Sequence, residues 1–139
     1  MISRAEAQRV KTKLMVWWII WASILAGLGV VYFGIAWNKP LPPASSAELF
    51  TNIAGFIPLF LSVIIRWLVL PRYSDPARAF VIFIIGLSLA ELCGLLGIFI
   101  GGGYRDALFL LGVLGVVEYA PFYARCFFEP KVSGFIPNN

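Results

Sequence analysis

The amino-acid sequence predicts an all-α protein, a bundle of four transmembrane helices with the N-terminus and the C-terminus both cytoplasmic, and three observations carry that prediction. Of the 139 residues, 60% are hydrophobic and only 13% charged, far from the composition of an ordinary soluble domain. The apolar residues gather into four runs, over about 14–37, 49–70, 79–101 and 107–128. Each is long enough to cross a hydrocarbon layer of about 30 Å at about 1.5 Å per residue. The basic residues sort by side. With the N-terminus inside, the inner segments hold Arg4, Arg9, Lys11, Lys13, Arg66, Arg72, Arg78, Arg125 and Lys131, while the outer loops hold only Lys39 and Arg105. That positive-inside bias sets the orientation. The connections are too short to fold separately, so residues 1–139 form a single integral membrane domain, expected in a bacterial inner membrane.

The first element begins with Ser3 and Glu6 in capping-box spacing, a helical lead-in to the first span. It resembles a secretory signal only superficially, because its apolar run is too long and no small-x-small cleavage site follows. Trp17, Trp18 and Trp21 are expected at the inner interface, with Tyr32 and Trp37 toward the outer one, as aromatic belts. Prolines 40, 42 and 43 stiffen the loop NKPLPPASSAE, and Ser45 with Glu48 makes a second capping box that opens the second span. Within that span Pro58 removes a backbone donor from Ala54, and a kink is expected. The turn PRYSDPAR offers Asp75 as N-cap and Pro76 at the first helical position of the third span. That span stops at Gly101-Gly102-Gly103, and Asp106 is placed to cap the fourth. Short connections make consecutive helices antiparallel neighbours.

Two carboxylates stand where only apolar residues are cheap. Glu91 and Glu118 each lie about ten to twelve residues from their helix ends. Their depths differ by only about 3 Å at roughly 1.5 Å per residue. A carboxylate near the midplane is costly, so at least one of the two is expected to rest protonated. On the third span Gly86, Ala90, Gly94, Gly97 and Gly101 form a small-residue stripe, with Gly97 and Gly101 in GxxxG spacing, which permits close approach of another helix. On the fourth, Gly115, Glu118, Pro121 and Arg125 are expected to share a face, and Pro121 leaves the Val117 carbonyl without its helical donor beside Glu118. With these groups, Tyr119 or Ser88 is expected to complete a small polar pocket. Arg66 and Arg125 lie near the inner helix ends, where their guanidinium groups snorkel to the headgroups or, alternatively, join a relay to the glutamates. Tyr123 and Trp67, at the same level, are read as belt residues.

No constellation for catalysis is present: no nucleotide loop, GxSxG elbow or HExxH helix occurs, and the serines have no histidine base. With no histidine and only Cys93 and Cys126, which are not expected to pair, the usual ligands of zinc, haem and iron–sulfur clusters are missing. No metal and no cofactor are expected. A net charge of +4 reports orientation, with some attraction to anionic lipid, and asks for no nucleic acid.

The stretch RAFVIFIIGLSLAELCGLLGIFIG, with a basic N-terminus before it, proline in the second span and Pro130 after the fourth, resembles small uncharacterised bacterial four-helix membrane proteins. That resemblance implies the four-span fold and brings no assigned activity with it. Glu91 followed six residues later by Gly97 also resembles, over this one helix, the carboxylate helix of rotary ATPase ring (c-type) subunits. Three functions are compatible with the sequence. One is a non-enzymatic membrane subunit, a homo-oligomer or part of a larger complex, docked through the glycine stripe with Glu91 and Glu118 as a buried carboxyl pair. A second is a proton or cation carrier with those two residues as its site. A third is a lipid or hydrophobic-ligand binder lined by aromatics.

Overall fold

The computed structural model describes residues 4–43 and 46–128. The expected capping boxes rest on Ser3 and Ser45, which lie outside the described residues, as do Pro130 and Lys131. Among the described residues every regular element is helical. Helix α1 spans Arg4–Val31, α2 Ser46–Ile64, α3 Pro76–Ile100 and α4 Arg105–Glu118. Together with short π and 3-10 turns they make four segments long and apolar enough to cross a membrane, Ala7–Ala36, Asn52–Arg72, Pro76–Ile100 and Gly102–Phe127. Large apolar side chains cover the outside of all four, among them Val30, Phe60, Phe99 and Leu114. In water that surface would aggregate; it is the surface a membrane-associated bundle turns to lipid.

Local chemistry explains most boundaries. Asp75 sits in extended conformation and its carboxyl accepts from the backbone N–H of Ala77 at 3.2 Å and of Arg78 at 3.4 Å, opening α3 directly before Pro76. Helix α3 ends at Ile100, and Gly102 takes a φ of 49°, a left-handed conformation that glycine adopts without penalty. Helix α2 runs through the buried Pro58 as one helix and then widens into a π turn over Ile65–Val69. A similar π turn, Tyr32–Ala36, closes α1.

The fourth span departs from expectation. It was predicted as one helix over 107–128, but α4 stops at Glu118 and the chain continues as a 3-10 helix over Pro121–Phe127. Pro121 is the cause: its ring disfavours the helical region for the residue before it, and Ala120 accordingly sits at φ −50°, ψ 123°.

Packing divides the molecule into a basic end and a far end. At the basic end Trp17 stacks on Phe83 with centroids 4.7 Å apart and on Phe127 at 5.9 Å, inside a core of Leu70, Ala79, Leu87, Val116 and Tyr119. At the far end Tyr32 stacks on Phe109 at 3.8 Å beside Leu28, Ala36 and Ile98. Trp17 and Tyr32, expected as belt residues, are thus buried inside the bundle, because the facing helices offer them aromatic partners.

The glycine stripe lies between α3 and α4. A Cβ on Gly112 of α4 would come within 2.5 Å of the Gly94 backbone N, and one on Gly97 within 3.0 Å of the Arg105 carbonyl. One on Gly115 would meet the Ala90 Cβ at 3.0 Å, and one on Gly101 would collide with its own helix and with Arg105. Gly94 also receives Leu28 from α1. The expected close approach therefore occurs within the chain, which leaves the stripe no free face for a second molecule.

Candidate functional site

The break in α4 gathers polar groups from three of the four spans. Where a helix ends, its last carbonyls lose their intrahelical donors. Here they find replacements from across the bundle. The Val116 carbonyl accepts from the Tyr119 N–H at 3.1 Å and from the indole N–H of Trp21, 95 positions away in sequence, at 2.8 Å. The Val117 carbonyl, expected to lack a donor, accepts from Ala120 N–H at 3.0 Å. The Glu118 carbonyl accepts from Arg66 Nε at 2.9 Å. The Arg66 guanidinium lies 3.9 Å above the Tyr123 ring and 5.2 Å from that of Trp67, a cation–π arrangement that orients its fork. Arg66 thus reaches the backbone of Glu118 at the break, not its carboxyl as the relay expected; Arg125 is exposed.

Immediately beside the break Tyr119 is fully buried. Its hydroxyl donates to the Ser62 carbonyl at 2.6 Å, and the Ser62 hydroxyl donates in turn to the Gly86 carbonyl at 2.7 Å. Three helices are fastened by this chain, and Gly86 is small for a reason: a Cβ there would collide with the Tyr119 hydroxyl. In a low-dielectric interior such bonds are each worth about 0.6–1.7 kcal/mol.

The two glutamates are not brought together. Glu91 is half-buried and Glu118 is exposed, and among the described residues the ion pairs are Arg78–Asp75 and Arg105–Asp106, with no hydrogen bond joining Glu91 to Glu118. Helix rotation is the reason. Ala90 faces α4 across the seam, and Glu91 stands about 100° further round α3. Glu118 is likewise rotated about 120° off Gly112, the residue that meets Gly94. The buried carboxyl pair expected from their matched depth is not formed. Nor do Gly115, Glu118, Pro121 and Arg125 share a face: Gly115 and Pro121 are buried while Glu118 and Arg125 are exposed, because Glu118 stands about 60° round α4 from Gly115 and the tighter 3-10 winding puts Arg125 about 120° from Pro121. Ser88 is also exposed.

A second polar cluster at the far end was missed by sequence reasoning. Asp106, expected to cap α4, makes no capping bond. Its carboxylate instead accepts from the Tyr32 hydroxyl at 2.9 Å and from Arg105 Nε at 2.9 Å, while Arg105 Nη1 donates to the Lys39 carbonyl at 3.1 Å. Arg105 is thereby buried. The adjacent Arg-Asp pair in a short loop was the available signal, but its partner Tyr32 lies 74 residues away. Ser62 was missed too, although it sits one helical turn before Arg66 on the same face.

Among the described residues no group of three His, Cys, Asp or Glu could hold a metal ion. Both cysteines are free, Cys93 buried and Cys126 exposed. What the fold and site define is a helical bundle of four segments long and apolar enough to cross a membrane, stitched across the break in α4 by side chains from other segments. No protein-family model matches the chain, and no curated protein or solved structure matches it.

Proposed function

We propose that the protein is a non-enzymatic multipass membrane subunit of a bacterial inner membrane that self-associates through the α4 surface around Glu118, with both termini in the cytoplasm. The observation that carries this reading is Glu118 itself. It lies about 20 Å along α4 at about 1.5 Å per residue, is exposed on the outside of the chain's own bundle, and has no partner for its carboxyl among the described residues. A carboxyl facing lipid at that depth is costly. Protonated, it is both donor and acceptor, so two copies about a two-fold axis satisfy one another. Leu110, Leu114 and Val117 share that face and are exposed, giving a second helix apolar surface to cover.

The orientation is supported by the described cations. Arg9, Lys11, Lys13, Arg66, Arg72, Arg78 and Arg125 lie at or toward the basic end, whereas Arg105 is committed to Asp106 and leaves Lys39 at the far end. A proton or cation site built from both glutamates has less support, because the two carboxyls do not converge. Self-association is tested by disulfide crosslinking in native membranes, with Val117→Cys introduced into a Cys126→Ser background and Val30→Cys on α1 as the control. Oxidation should give a species of twice the chain mass from position 117 and not from position 30, and Glu118→Leu should suppress it. Equal crosslinking from both positions, or none from 117, would overturn the reading.

A further inference from the structure

At the basic end, between the close of α2, the turn before α3 and the 3-10 segment, lies a cavity of about 350 Å³ walled by Arg66, Leu70, Tyr73, Ser74, Tyr123 and Cys126. We propose that this cavity is a binding site for the phosphate of an anionic phospholipid headgroup, held by the guanidinium of Arg66 and the hydroxyl of Tyr123. Three observations converge on it. Arg66 spends only Nε on the protein, in its bond to the Glu118 carbonyl, and neither Nη has an acceptor among the described residues. The fork that remains matches two phosphate oxygens. The Tyr123 hydroxyl is buried with no hydrogen-bond partner among the described residues, a loss that folded proteins seldom tolerate. A ligand oxygen bonded to both residues removes it.

The location selects a lipid over other anions. The second span ends at Arg72 and the fourth at Phe127, with Tyr73 and Ser74 in the connection that follows the second, so the cavity opens at headgroup level, and its apolar walls from Leu70 and Phe127 suit the glycerol and upper acyl region. Its volume falls in the usual range for small-ligand sites, about 300–1,000 Å³. Exposed Arg72 and Arg125 add a diffuse positive field nearby. Arg66 differs from them in being held against the Tyr123 ring at 3.9 Å, which fixes where the phosphate must sit.

The cavity carries its own reporter, since Cys126 is an exposed free thiol on its wall while Cys93 is buried. The full chain is reconstituted in nanodiscs of phosphatidylcholine alone or with a minor fraction of phosphatidylglycerol. Maleimide labelling of Cys126 is followed there, and retained lipid is counted by native mass spectrometry after transfer to detergent. Phosphatidylglycerol should slow labelling and stay bound. Arg66→Gln should weaken retention roughly tenfold or more, the loss of one charge-assisted contact, and Arg72→Gln should change it less than twofold. Because Arg66→Gln also removes a bond to the helix break, Tyr123→Phe serves as the second variant; it keeps the ring under the guanidinium and should weaken retention severalfold. Protection of Cys126 by inorganic phosphate alone, equal to that by phosphatidylglycerol, would replace the lipid with a soluble anion and overturn the proposal. So would unchanged retention in both Arg66→Gln and Tyr123→Phe.

Discussion

Helices α3 and α4 meet backbone to backbone, whereas α1 leans on the bundle through a few large side chains. In the apolar window of the first span 11% of residues are buried, against 44% in the fourth. At its tightest the seam between α3 and α4 is backbone on backbone: Gly94 faces Gly112, and Gly97 lies against the Arg105 carbonyl and the Leu108 Cβ. Helix α1 is held by Trp17 in the aromatic cluster, Trp21 on the Val116 carbonyl, Leu28 on Gly94 and Tyr32 on Asp106. Membrane helices gain little from hydrophobic burial against one another, since lipid is equally apolar. Contact density and hydrogen bonds therefore decide the fold, and the two regions use them in opposite proportion.

The sharpest way to break the comparison is Gly112→Leu. A side chain there has the Gly94 backbone in its path, so the helices must separate, and the loss should reach or exceed ~3 kcal/mol, the upper range for overpacking. Unfolding in mild detergent titrated with dodecyl sulfate measures it; a wild-type midpoint would mean that the seam is looser than its geometry. A smaller effect is expected for Tyr119→Phe, which deletes one hydroxyl from the chain Tyr119–Ser62–Gly86 and should cost about 0.6–1.7 kcal/mol in the same titration. Ser62→Ala in the Tyr119→Phe background then reports whether the two bonds are coupled. The least is expected on α1, where a Cβ on Gly27 meets nothing within 4 Å. Gly27→Ala should lie within about 0.5 kcal/mol of wild type, and a loss comparable to Gly112→Leu would show that the outer face of α1 is covered by something other than lipid.

The same contrast separates what the sequence disclosed from what it withheld. Span number and the α3 start were legible because their causes are local: run length, and the Asp75-Pro76 pair that caps and presets a first turn. The stripe was legible as a close-packing surface, yet its partner depended on how α4 is rotated, which depth and spacing do not constrain. Rotation likewise decided that Glu91 and Glu118, matched in depth, face apart. Pro121 announced a disturbance, but its resolution required Trp21 and Arg66 from other helices, contacts that no local pattern encodes.

The overwound stretch Pro121–Phe127 has a consequence for symmetry. In a 3-10 helix residues three apart eclipse one another, so the segment is a triangular prism with straight edges. One edge, Pro121, Ala124 and Phe127, turns inward; a second, Phe122 and Arg125, faces outward; the third, Tyr123 and Cys126, borders the cavity. Removing one residue just after Pro121 would turn the prism by about 120° and exchange all three edges at once, carrying Ala124 to the wall where Tyr123 now meets Arg66.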